Sequence, residues 1–587
     1  MSRSEAVLLG IERSLTGRRW LSAAADEARI GRLHALHALP EPLCRVLAER
    51  GLSDADIPHY LAPTLRALLP DPSSLVDMDR AAERLGSAIV DGERITVFAD
   101  YDVDGATSAA LLRRFLAAIG CACGLYVPDR MREGYGPSAP ALLRLREEGA
   151  ALVVTVDCGT AAHEPVAAAA AAGLDVIVID HHQAPTVPPP AVAVVNPNRP
   201  DDGSGFGHLA AVGVTFLLVV AVNRILRARG WYAERREPDL RRWLDLVALG
   251  TVCDMVPLAG VNRAFVVQGL KVAGGGDNPG LAALATVAGM RGPLQLQDLG
   301  FAVGPRINAG GRVGEADLGA RLLSSDDPTE VASLAARLDA FNRQRQEIEA
   351  GVLERALQRT AAANATRLVF VAGEKWHPGV VGIVASRLVE RFHKPAVVAA
   401  VGNGETVASC RSVPGVDLGR AIRDALAAGL LMKGGGHAMA GGFTVASDRL
   451  AEVERFLDAA VAEQETADAT APALRITASL GLSGLGGEWI TSLDRLAPFG
   501  AGNPEPVFAV EAARLRWTAN GAGPHLRCRL IDQQGGQMNG VLFRAVGTPL
   551  AKALTTLDGA AIHLAGRIRR RRDRTPFFAI EDAALPR

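Results

Sequence analysis

The sequence has few cysteines, no excess of either charge and no long apolar run. Its seven cysteines are an odd number without a paired CxxC motif, which argues against a zinc site or a disulfide framework and is typical of a reducing cytoplasm. The net charge is -1, so overall charge neither favours nor excludes a nucleic-acid partner. The longest apolar stretch, residues 212–222, is too short to span a membrane, and the apolar run near residue 8 is too short for a signal peptide. These absences predict a soluble cytosolic protein.

Hydrophobic residues make up 49% of the 587 positions, and this length predicts several domains, each with its own core. Residues 1–75 have the pattern of short helices and turns. From residue 80 onwards, apolar strand-like runs alternate with helical segments, which predicts an α/β fold with a parallel sheet. Long helices should join this part to a second, smaller α/β segment over residues 367–460. The C-terminal part has the short strands and glycine turns of an OB-like β-barrel.

Acidic side chains and imidazoles follow three of the predicted strands, at the point where each strand ends. They are Asp100, Asp102 and Asp104 after the first strand, Asp157 after the second, and Asp180, His181 and His182 after the third. The carboxyl ends of parallel strands lie at one edge of a sheet, so these groups should converge on one crevice. Crowded carboxylates repel unless cations separate them, and Asp with His but no Cys suits Mn²⁺ or Mg²⁺. Two such ions about 3.5–4 Å apart can activate a water and stabilise a phosphate displacement.

Other interpretations of these acids compete with the metal site. Any single Asp at a strand end can be a helix N-cap, and Asp104 before Gly105 can be a turn residue. The stretch DVDGAT also resembles haloacid-dehalogenase phosphatases, in which Asp102 would be a nucleophile. That family requires a Ser or Thr and then a Lys after its later strands, where this chain has Asp157 and Asp-His-His. The three strand ends together favour the metal site.

Four short motifs together resemble the DHH family of phosphoesterases. They are DYDVDG (100–105), VTVDCG (154–159), the DHH triplet (180–182) and GTVCDMVPL (250–258). The resemblance implies metal ligands: Asp102 for one ion, Asp104 for the other, Asp157 for both, and His181 and Asp254 for the second. It implies that Asp157, His182 and Asp180 form the catalytic centre, with His182 near the phosphate and Asp180 fixing the histidines. Phe98 stands where many members have His, so the first ion would be held more weakly, or by Asp100 or water.

A glycine-rich stretch, KGGGHAMAGGF at 433–443, resembles the signature of the DHH-associated domain, which closes over the metal site. Such a stretch can bring backbone N–H groups and an imidazole close to a phosphate, although a flexible turn is the simpler interpretation. Arginine suits bidentate phosphate binding, although for each arginine alone a surface salt bridge is the default. The family resemblance implies these substrate contacts: Arg306, Asn308, Arg312, Arg411, Ser412, Gly435, Gly436 and His437.

The chain continues past the glycine-rich stretch, and LAPFGAGNPEPVF at 496–508 resembles the joint of RecJ-type exonucleases. That resemblance implies an N-terminal helical segment and four domains: DHH catalytic 76–260, helical connector 261–360, DHH-associated 361–465 and OB-like nucleic-acid-binding 475–587. It implies a 5′→3′ exonuclease that uses two divalent ions, Mn²⁺ or Mg²⁺, to release 5′-mononucleotides from single-stranded DNA in repair and recombination. Single-stranded-DNA-binding protein and a helicase would be partners. Two alternatives stay open: a DHH phosphodiesterase for short RNA, and a non-catalytic replication factor, which should have lost metal ligands.

An arginine run, GRIRRRRDR, is flanked by strand-like segments and predicts a hairpin tip of the barrel. The residues expected to contact DNA are Arg567, Arg569, Arg571 and Arg572. Six like charges repel one another unless an anion lies near, which favours DNA binding over a solvated hairpin that protects an edge. Of Phe577 and Phe578, one is expected to stack on a base and the other to face the core.

Overall fold

The computed structural model describes residues 5–23, 26–130, 132–362, 367–464, 472–518, 524–557, 559–571, 573 and 575–586. Among these residues the strands are β1 (Glu5–Val7), β2 (Arg19–Ala23), β3 (Ile95–Ala99), β4 (Cys123–Tyr126), β5 (Leu152–Val156), β6 (Asp175–Ile179), β7 (Ala193–Val195), β8 (Val369–Glu374), β9 (Ala396–Val401), β10 (Glu405–Arg411), β11 (Lys433–His437), β12 (Ala440–Ala446), β13 (Ala473–Arg475), β14 (Ala478–Ser479), β15 (Phe508–Trp517), β16 (Leu526–Ile531), β17 (Gln537–Leu542), β18 (Ala561–Arg570) and β19 (Pro576–Ala584).

The α-helices of the same residues are α1 (Glu27–His37), α2 (Glu41–Glu49), α3 (Ile57–Leu61), α4 (Leu65–Leu68), α5 (Met78–Val90), α6 (Val103–Ala118), α7 (Ala139–Glu147), α8 (His163–Ala171), α9 (Ala211–Ala228), α10 (Leu244–Cys253), α11 (Gly260–Gly275), α12 (Pro279–Val287), α13 (Leu296–Asp298), α14 (Gly304–Val313), α15 (Leu318–Ser324), α16 (Pro328–Ala362), α17 (Pro378–Phe392), α18 (Leu418–Ala427), α19 (Leu450–Gln464), α20 (Gly487–Asp494) and α21 (Pro549–Thr556).

The first large sheet is parallel throughout and has the strand order β4-β3-β5-β6-β7, which confirms the predicted α/β fold. Strands β3 and β5 are buried along their whole length, as is typical of parallel strands covered by helices on both faces. The chain runs from β3 outward to β4 and then returns to β5 on the other side of β3. The carboxyl ends of β3 and β5 therefore border a topological switch point, where ligands bind in open α/β sheets.

Helix α9 is long and apolar enough to cross a membrane, but 72% of it is buried inside the protein. It packs against α5 and α6 beside the parallel sheet, which accounts for its apolar composition.

The second sheet has the order β11-β12-β10-β9-β8, with only the β8–β9 pair parallel among its pairings. Helix α17 covers one face at β9 and β10, and α18 and α19 pack in the core on the other face. The segment from residue 328 forms one continuous helix, α16. The smaller α/β domain and the long connecting helix are thus confirmed.

The C-terminal strands form a closed barrel in the order β15-β16-β17-β19-β18, because β15 also pairs with β18. Closure leaves these five strands without an exposed edge. Alternate residues of β16 point into the core: Leu526, Cys528 and Leu530 are buried, whereas the arginines between them are exposed. This confirms the predicted OB-like barrel.

The chain divides into two compact units: residues 1–69, 257–267 and 470–587 form one, and residues 70–256 and 268–469 form the other. Within the first unit, helices α1 and α2 share a hydrophobic core with the barrel. The N-terminal segment also contains β1 and β2, which the sequence did not predict, and β2 pairs in parallel with β13. Strands of three to five residues that pair over such a sequence separation leave no local pattern, so periodicity could not reveal them.

Candidate metal centre

The acids after β3 lie at the start of α6. Asp102 is the N-cap: its Oδ1 accepts hydrogen bonds from the backbone N–H groups of Asp104 at 2.8 Å and Gly105 at 3.1 Å. Its second oxygen remains available for another partner, so the N-cap and the metal-ligand interpretations are compatible. Asp100 is buried, and its Oδ1 has no hydrogen-bond partner among the described residues. A Cβ at Gly105 would lie 2.3 Å from the carbonyl oxygen of Asp100, so only glycine allows this tight approach.

Asp157 follows β5 in a left-handed backbone conformation, with φ of +62°. Such strain in a residue other than glycine is a feature of functional sites. The side chain is buried, and Oδ1 lacks a hydrogen-bond partner within the described part of the chain. One carboxylate oxygen each from Asp100, Asp102 and Asp157 lie within 4.8 Å of one another. These three oxygens form the first group that could hold a divalent ion.

His181 completes a second group. Its Nε2 lies 3.4 Å from Oδ1 of Asp157, 3.6 Å from Oδ2 of Asp254 and 3.8 Å from Oδ2 of Asp104. Ligand atoms of Asp104, His181 and Asp254 fall within 4.8 Å of one another, and so do those of Asp157, His181 and His182. All the predicted metal ligands are therefore brought together.

Asp104 also caps the N-terminus of α9, since its carboxylate accepts from the backbone N–H groups of Ala211 at 2.6 Å and Val212 at 2.9 Å. The cap fixes the carboxylate beside the other acids.

Asp180 holds the two histidines and lies outside these metal-binding groups. Its Oδ1 accepts from the backbone N–H of His181 at 2.8 Å and from Nδ1 of His182 at 2.7 Å, and its Oδ2 accepts from the N–H of Thr160 at 3.1 Å. Burial would raise the pKa of Asp180, but the hydrogen bonds from His182 and Thr160 hold it below its ordinary value. Burial lowers the pKa of His182, and the Asp180 carboxylate outweighs that effect and raises it.

The other buried carboxylates of the site are unfavourable in their ionised form unless a cation lies between them. Burial raises the pKa values of Asp100, Asp104 and Asp157, and the neighbouring carboxylates raise them further. Burial and then Asp102 raise the pKa of Asp254 to about 7. Four buried atoms here lack hydrogen-bond partners among the described residues: Asp100 Oδ1, Asp157 Oδ1, Asp254 Oδ2 and His181 Nε2. Oxygen and imidazole donors without a thiolate fit Mn²⁺ or Mg²⁺, so the residues present fit the implied ions.

A cavity of about 390 Å³ opens beside the acids. Its lining includes Asp100, Tyr101, Asp102, Arg130, Tyr135, Cys253, Asn308, Gly311 and Arg312. Arg312 is half-buried and donates to the carbonyl oxygen of Gly379 at 2.9 Å. Burial lowers its pKa to about 10, and repulsion from Arg130, Arg345 and Arg411 contributes to the decrease. Guanidinium groups that repel one another are stabilised by an anion, so this wall of the cavity could hold one.

Two predicted substrate contacts have partners within the protein instead. The guanidinium of Arg306 pairs with Asp339 at 3.0 Å and donates to the carbonyl oxygen of Ala302 at 2.8 Å. The buried hydroxyl of Ser412 donates to the carbonyl oxygen of Val416 at 2.6 Å, which stabilises the turn after β10. Asn308, by contrast, lies in the wall of the cavity.

The glycine-rich stretch forms a β-hairpin: β11, a two-residue turn at 438–439 and the start of β12. Arg411 lies opposite Ala440 in the β10–β12 ladder, and Ala440 lies opposite His437 in the β12–β11 ladder. Arg411 and His437 are thus on one face of the sheet, two strands and about 10 Å apart. Gly435 lies on β11, two residues before His437, and a Cβ at this position would meet nothing within 4 Å. Gly435 therefore leaves open space above the sheet. Gly436, with φ of +147°, adopts a conformation that other residues rarely reach.

The arginine run has anionic partners that its sequence did not predict. Arg567 pairs with Glu581 and Glu505, Arg569 pairs with Glu505 at 2.6 Å, and Arg570 pairs with Asp494. For these three arginines the neighbouring anions are the protein's own carboxylates, so like-charge repulsion gives no reason to expect DNA at Arg567 and Arg569. Arg571 is exposed at the hairpin, and Arg572 and Arg574 lie outside the described residues.

The two phenylalanines after the run are both buried. Phe578 belongs to the barrel core, as expected for one of them. Phe577 is 7% exposed and packs on Phe543 with ring centroids 6.0 Å apart, so neither of the two phenylalanines presents a ring on which a base could stack; Phe543 itself is 44% exposed.

Sequence reasoning missed four polar residues of the site. The Tyr135 hydroxyl donates to the carbonyl oxygen of Asp157 at 3.0 Å and lies 3.1 Å from Nδ1 of His182. Asn196 donates to the carbonyl oxygen of His182 at 2.8 Å, and Asn198 donates to that of His181. Arg130 belongs to the cavity wall. Asn196 directly follows β7, so the strand-end rule that identified Asp157 could have identified it too.

Comparisons with known proteins agree with this geometry. Family models match in three places: the DHH family N-terminal domain at residues 94–251, the DHHA1 domain at 364–463 and the RecJ OB domain at 476–574. The single-stranded-DNA-specific exonuclease RecJ of Dickeya dadantii is 40% identical over 522 residues, which cover 86% of this chain and 89% of that protein. The crystal structure of RecJ in complex with Mn²⁺ from Thermus thermophilus has a TM-score of 0.80 at 29% identity and covers 96% of this chain and 78% of that one. The Mg²⁺ complex from the same organism has a TM-score of 0.73 at 27% identity and covers 96% and 77%.

Proposed function

Because the chain belongs to the RecJ family of single-stranded-DNA-specific exonucleases, we propose that it hydrolyses single-stranded DNA from the 5′ end to 5′-mononucleotides. The observation that carries the proposal is the cluster of buried, unpartnered acids around His181 at the sheet's switch point, within the described part of the chain. A non-catalytic replication factor would not need this complete set of ligands. A phosphodiesterase for short RNA uses the same chemistry and differs in substrate, so substrate comparison separates the two.

Two divalent ions, Mn²⁺ or Mg²⁺, would be held by two sets of ligands that share Asp157. Asp100, Asp102 and Asp157 form one set, and Asp104, Asp157, His181 and Asp254 form the other. When bound, the ions supply hydroxide at neutral pH and stabilise negative charge on the reacting phosphate. Phe98 stands where many family members have a histidine ligand, and here it is fully buried and packs on Tyr126 with ring centroids 5.1 Å apart. Asp100, whose Oδ1 has no hydrogen-bond partner among the described residues, takes the role of that ligand.

The protein's own residues then position the strand. Arg312, with Arg130 and Asn308 in the same cavity wall, takes the terminal phosphate, because a half-buried guanidinium surrounded by other cations favours an anion. Arg411 and His437, on one face of the second sheet, contact the phosphates that follow, with Gly435 and Gly436 allowing close approach of the strand. His182, held by Asp180, has a raised pKa and a half-exposed side chain, and donates a proton or hydrogen bond to the reacting phosphate.

We assign cleavage to residues 76–260, the connector to 261–360, phosphate contacts to 361–465 and DNA binding to the barrel at 475–587. We also assign DNA binding to Arg571, which is exposed at the hairpin, and to Arg572, which lies outside the described residues. Arg306 and Ser412, which have partners within the protein, stabilise the elements that carry the phosphate contacts. Single-stranded-DNA-binding protein and a helicase, which would deliver single strands, are proposed partners in repair and recombination. The scattered free cysteines fit a cytoplasmic location.

The test compares substrates and ions. End-labelled single-stranded DNA, duplex DNA and short RNA are incubated with the protein and Mn²⁺, Mg²⁺ or a chelator. We expect mononucleotides from single-stranded DNA with either ion and no product with the chelator. Preferential digestion of short RNA would establish the alternative phosphodiesterase, and binding of DNA without any product would establish the non-catalytic factor.

A further inference from the structure

Tyr101 lies between the metal centre and the cationic wall of the cavity. In sequence it stands between Asp100 and Asp102, which both belong to the first metal-binding group. Its side chain lines the cavity together with Arg130 and Arg312. The acids hold metal and the arginines take phosphate in the proposed function, whereas the aromatic ring between them has no assigned part.

Helix α14 fixes the position of this residue. A Cβ at Gly311 would lie 3.0 Å from the carbonyl oxygen of Tyr101, 3.2 Å from its Cβ and 3.4 Å from its Cδ2. Tyr101 therefore packs directly against the helix at a position that has no side chain, one residue before Arg312. It is half-buried, with its backbone held just after β3 and its side chain held by α14. The ring is thus a rigid platform beside the acids.

Arg130 lies on this platform. Its guanidinium carbon is 5.3 Å from the centroid of the Tyr101 ring, within the roughly 6 Å at which an aromatic face attracts a cation. Arg130 is exposed and takes part in no ion pair among the residues that the structure describes. The Tyr101 ring is therefore the contact that orients this cation.

The neighbouring charges alone would not hold Arg130 in the cavity wall. Burial lowers the pKa values of Arg312 and Arg411, and repulsion from Arg130 lowers them further, so both cations oppose its approach. Asp100 attracts Arg130, but a metal ion bound by the Asp100 carboxylate would offset that charge. A long arginine side chain without a fixed partner keeps many rotamers, so the ring supplies the orientation that these charges do not.

We propose that Tyr101 is a positioning residue: its ring holds the Arg130 guanidinium in the cavity wall, where Arg130 contacts the terminal phosphate of the strand. The inference rests on the proposed function and deepens it by naming the group that orients a cation of the phosphate site. A guanidinium that is already oriented loses less conformational entropy on binding a phosphate than a free one does. The ring therefore favours strands that carry a terminal phosphate over strands that end in a hydroxyl.

The test compares a short single strand that carries a 5′-phosphate with the same strand ending in a 5′-hydroxyl. The measured quantity is the ratio of their kcat/KM values, from which a change in the metal centre itself cancels, because both strands use the same centre. Tyr101→Leu should lower this ratio roughly two- to thirtyfold, the range that a cation–π contact gives. Tyr101→Phe keeps the ring and removes only the hydroxyl, so it should retain the ratio.

Two comparisons separate positioning from a structural role. In an Arg130→Ala background the ratio should already be low, and Tyr101→Leu should lower it no further, because the ring acts through Arg130. Tyr126→Leu is the matched control and should keep the wild-type ratio, since Tyr126 carries Arg144 at 5.1 Å from its ring centroid and does not line the cavity. If Tyr101→Leu does not fold, Tyr101→Met, which fills more of the same space, replaces it with the same expected loss.

A wild-type ratio in Tyr101→Leu, an equal loss in Tyr101→Phe or Tyr126→Leu, or a further loss when Tyr101→Leu is added to Arg130→Ala would overturn the inference. Wild-type protein that digests both strands equally well would also overturn it and would leave the proposed hydrolysis intact. Wild-type protein that digests neither strand would instead contradict the proposed function, so the two failures are distinguishable.

Discussion

His181 Nε2 and Asp157 Oδ1 lie 3.4 Å apart, and neither atom has a hydrogen-bond partner among the described residues. Buried polar atoms are almost always paired, and leaving one unpaired costs roughly 1–3 kcal/mol. Asp254 and Asp104 face the same imidazole nitrogen at 3.6 and 3.8 Å. A cation between these atoms resolves the cost for all of them, which is why this arrangement identifies the metal centre.

Removal of the shared ligand should abolish hydrolysis. In Asp157→Ala both ions lose a ligand, so activity should vanish even at saturating Mn²⁺, while binding of single-stranded DNA should persist because the barrel is unchanged. Calorimetric titration should also show fewer bound Mn²⁺ ions. Asp245→Asn is the matched control: Asp245 is equally buried, on α10, and should retain Mn²⁺ binding. One tenth of wild-type activity in Asp157→Ala would rule out the shared ligand.

Metal removal should destabilise the protein more at high pH. The pKa of Asp254 rises from 3.8 to about 7 in the folded, metal-free protein. The folded state holds the Asp254 proton more tightly than the unfolded state does. The contribution of this group to the free energy of unfolding is therefore fully present below pH 3.8 and is lost as the pH rises towards 7. The melting temperature of chelated protein should therefore fall as the pH is raised across this range.

Mn²⁺ at about 100 times its dissociation constant adds about 2.7 kcal/mol to the free energy of unfolding. The ion binds more tightly at high pH, because the carboxylates are then ionised. The Mn²⁺-induced shift in melting temperature should accordingly be larger at about pH 8 than at about pH 5. Equal shifts at both values would show that these carboxylates do not hold the ion.

Arg411 and His437 should contribute to turnover and not to folding. Loss of one charge-assisted contact costs about 1.5–3 kcal/mol, so Arg411→Ala and His437→Ala should each lower turnover on a short single strand roughly ten- to a hundredfold. Melting temperatures should change little. Arg420→Ala, an exposed arginine on α18 of the same domain, serves as the control with normal turnover. Normal turnover in both test variants would limit the glycine-rich strand to a structural role.

Tyr135 should position the catalytic centre through its hydroxyl. Tyr135→Phe removes the hydrogen bonds to the Asp157 carbonyl and to His182, which should lower turnover by roughly two- to tenfold, given about 0.5–1.5 kcal/mol for a neutral hydrogen bond. Mn²⁺ affinity should fall too. Tyr126→Phe, whose hydroxyl contacts Glu133 and Arg144, is the matched control and should behave as wild type. Unchanged turnover and Mn²⁺ affinity in Tyr135→Phe would show that this hydroxyl does not position the site.

The sequence predicted those parts of the site that follow from local pattern. Asp102, Asp157 and the Asp180–His182 triplet each end a strand, and the parallel sheet brings such ends together, so their convergence could be predicted. Arg306 and Arg312 illustrate the limit: they lie on one helix, α14, yet one pairs with Asp339 and the other borders the cavity. Residue type alone could not distinguish them.

Pairing over long sequence separations set the other limit. The partners of Arg567 and Arg569 include Glu505, which precedes them by sixty residues and more, so a local charge count could not detect the neutralisation. Arg516 on β15 and Arg529 on β16 likewise lie opposite each other because of strand register, which only the folded barrel fixes. The same argument applies to β2 and β13.

The most direct test of the central claim is the first product from a single strand labelled at its 5′ end, followed with Mn²⁺ present. A metal centre that cleaves behind the terminal nucleotide should release the label at once as a 5′-mononucleotide, before the strand shortens appreciably, and chelator should stop the release. Label that remains on progressively shorter strands, or release that persists without a divalent ion, would contradict the account.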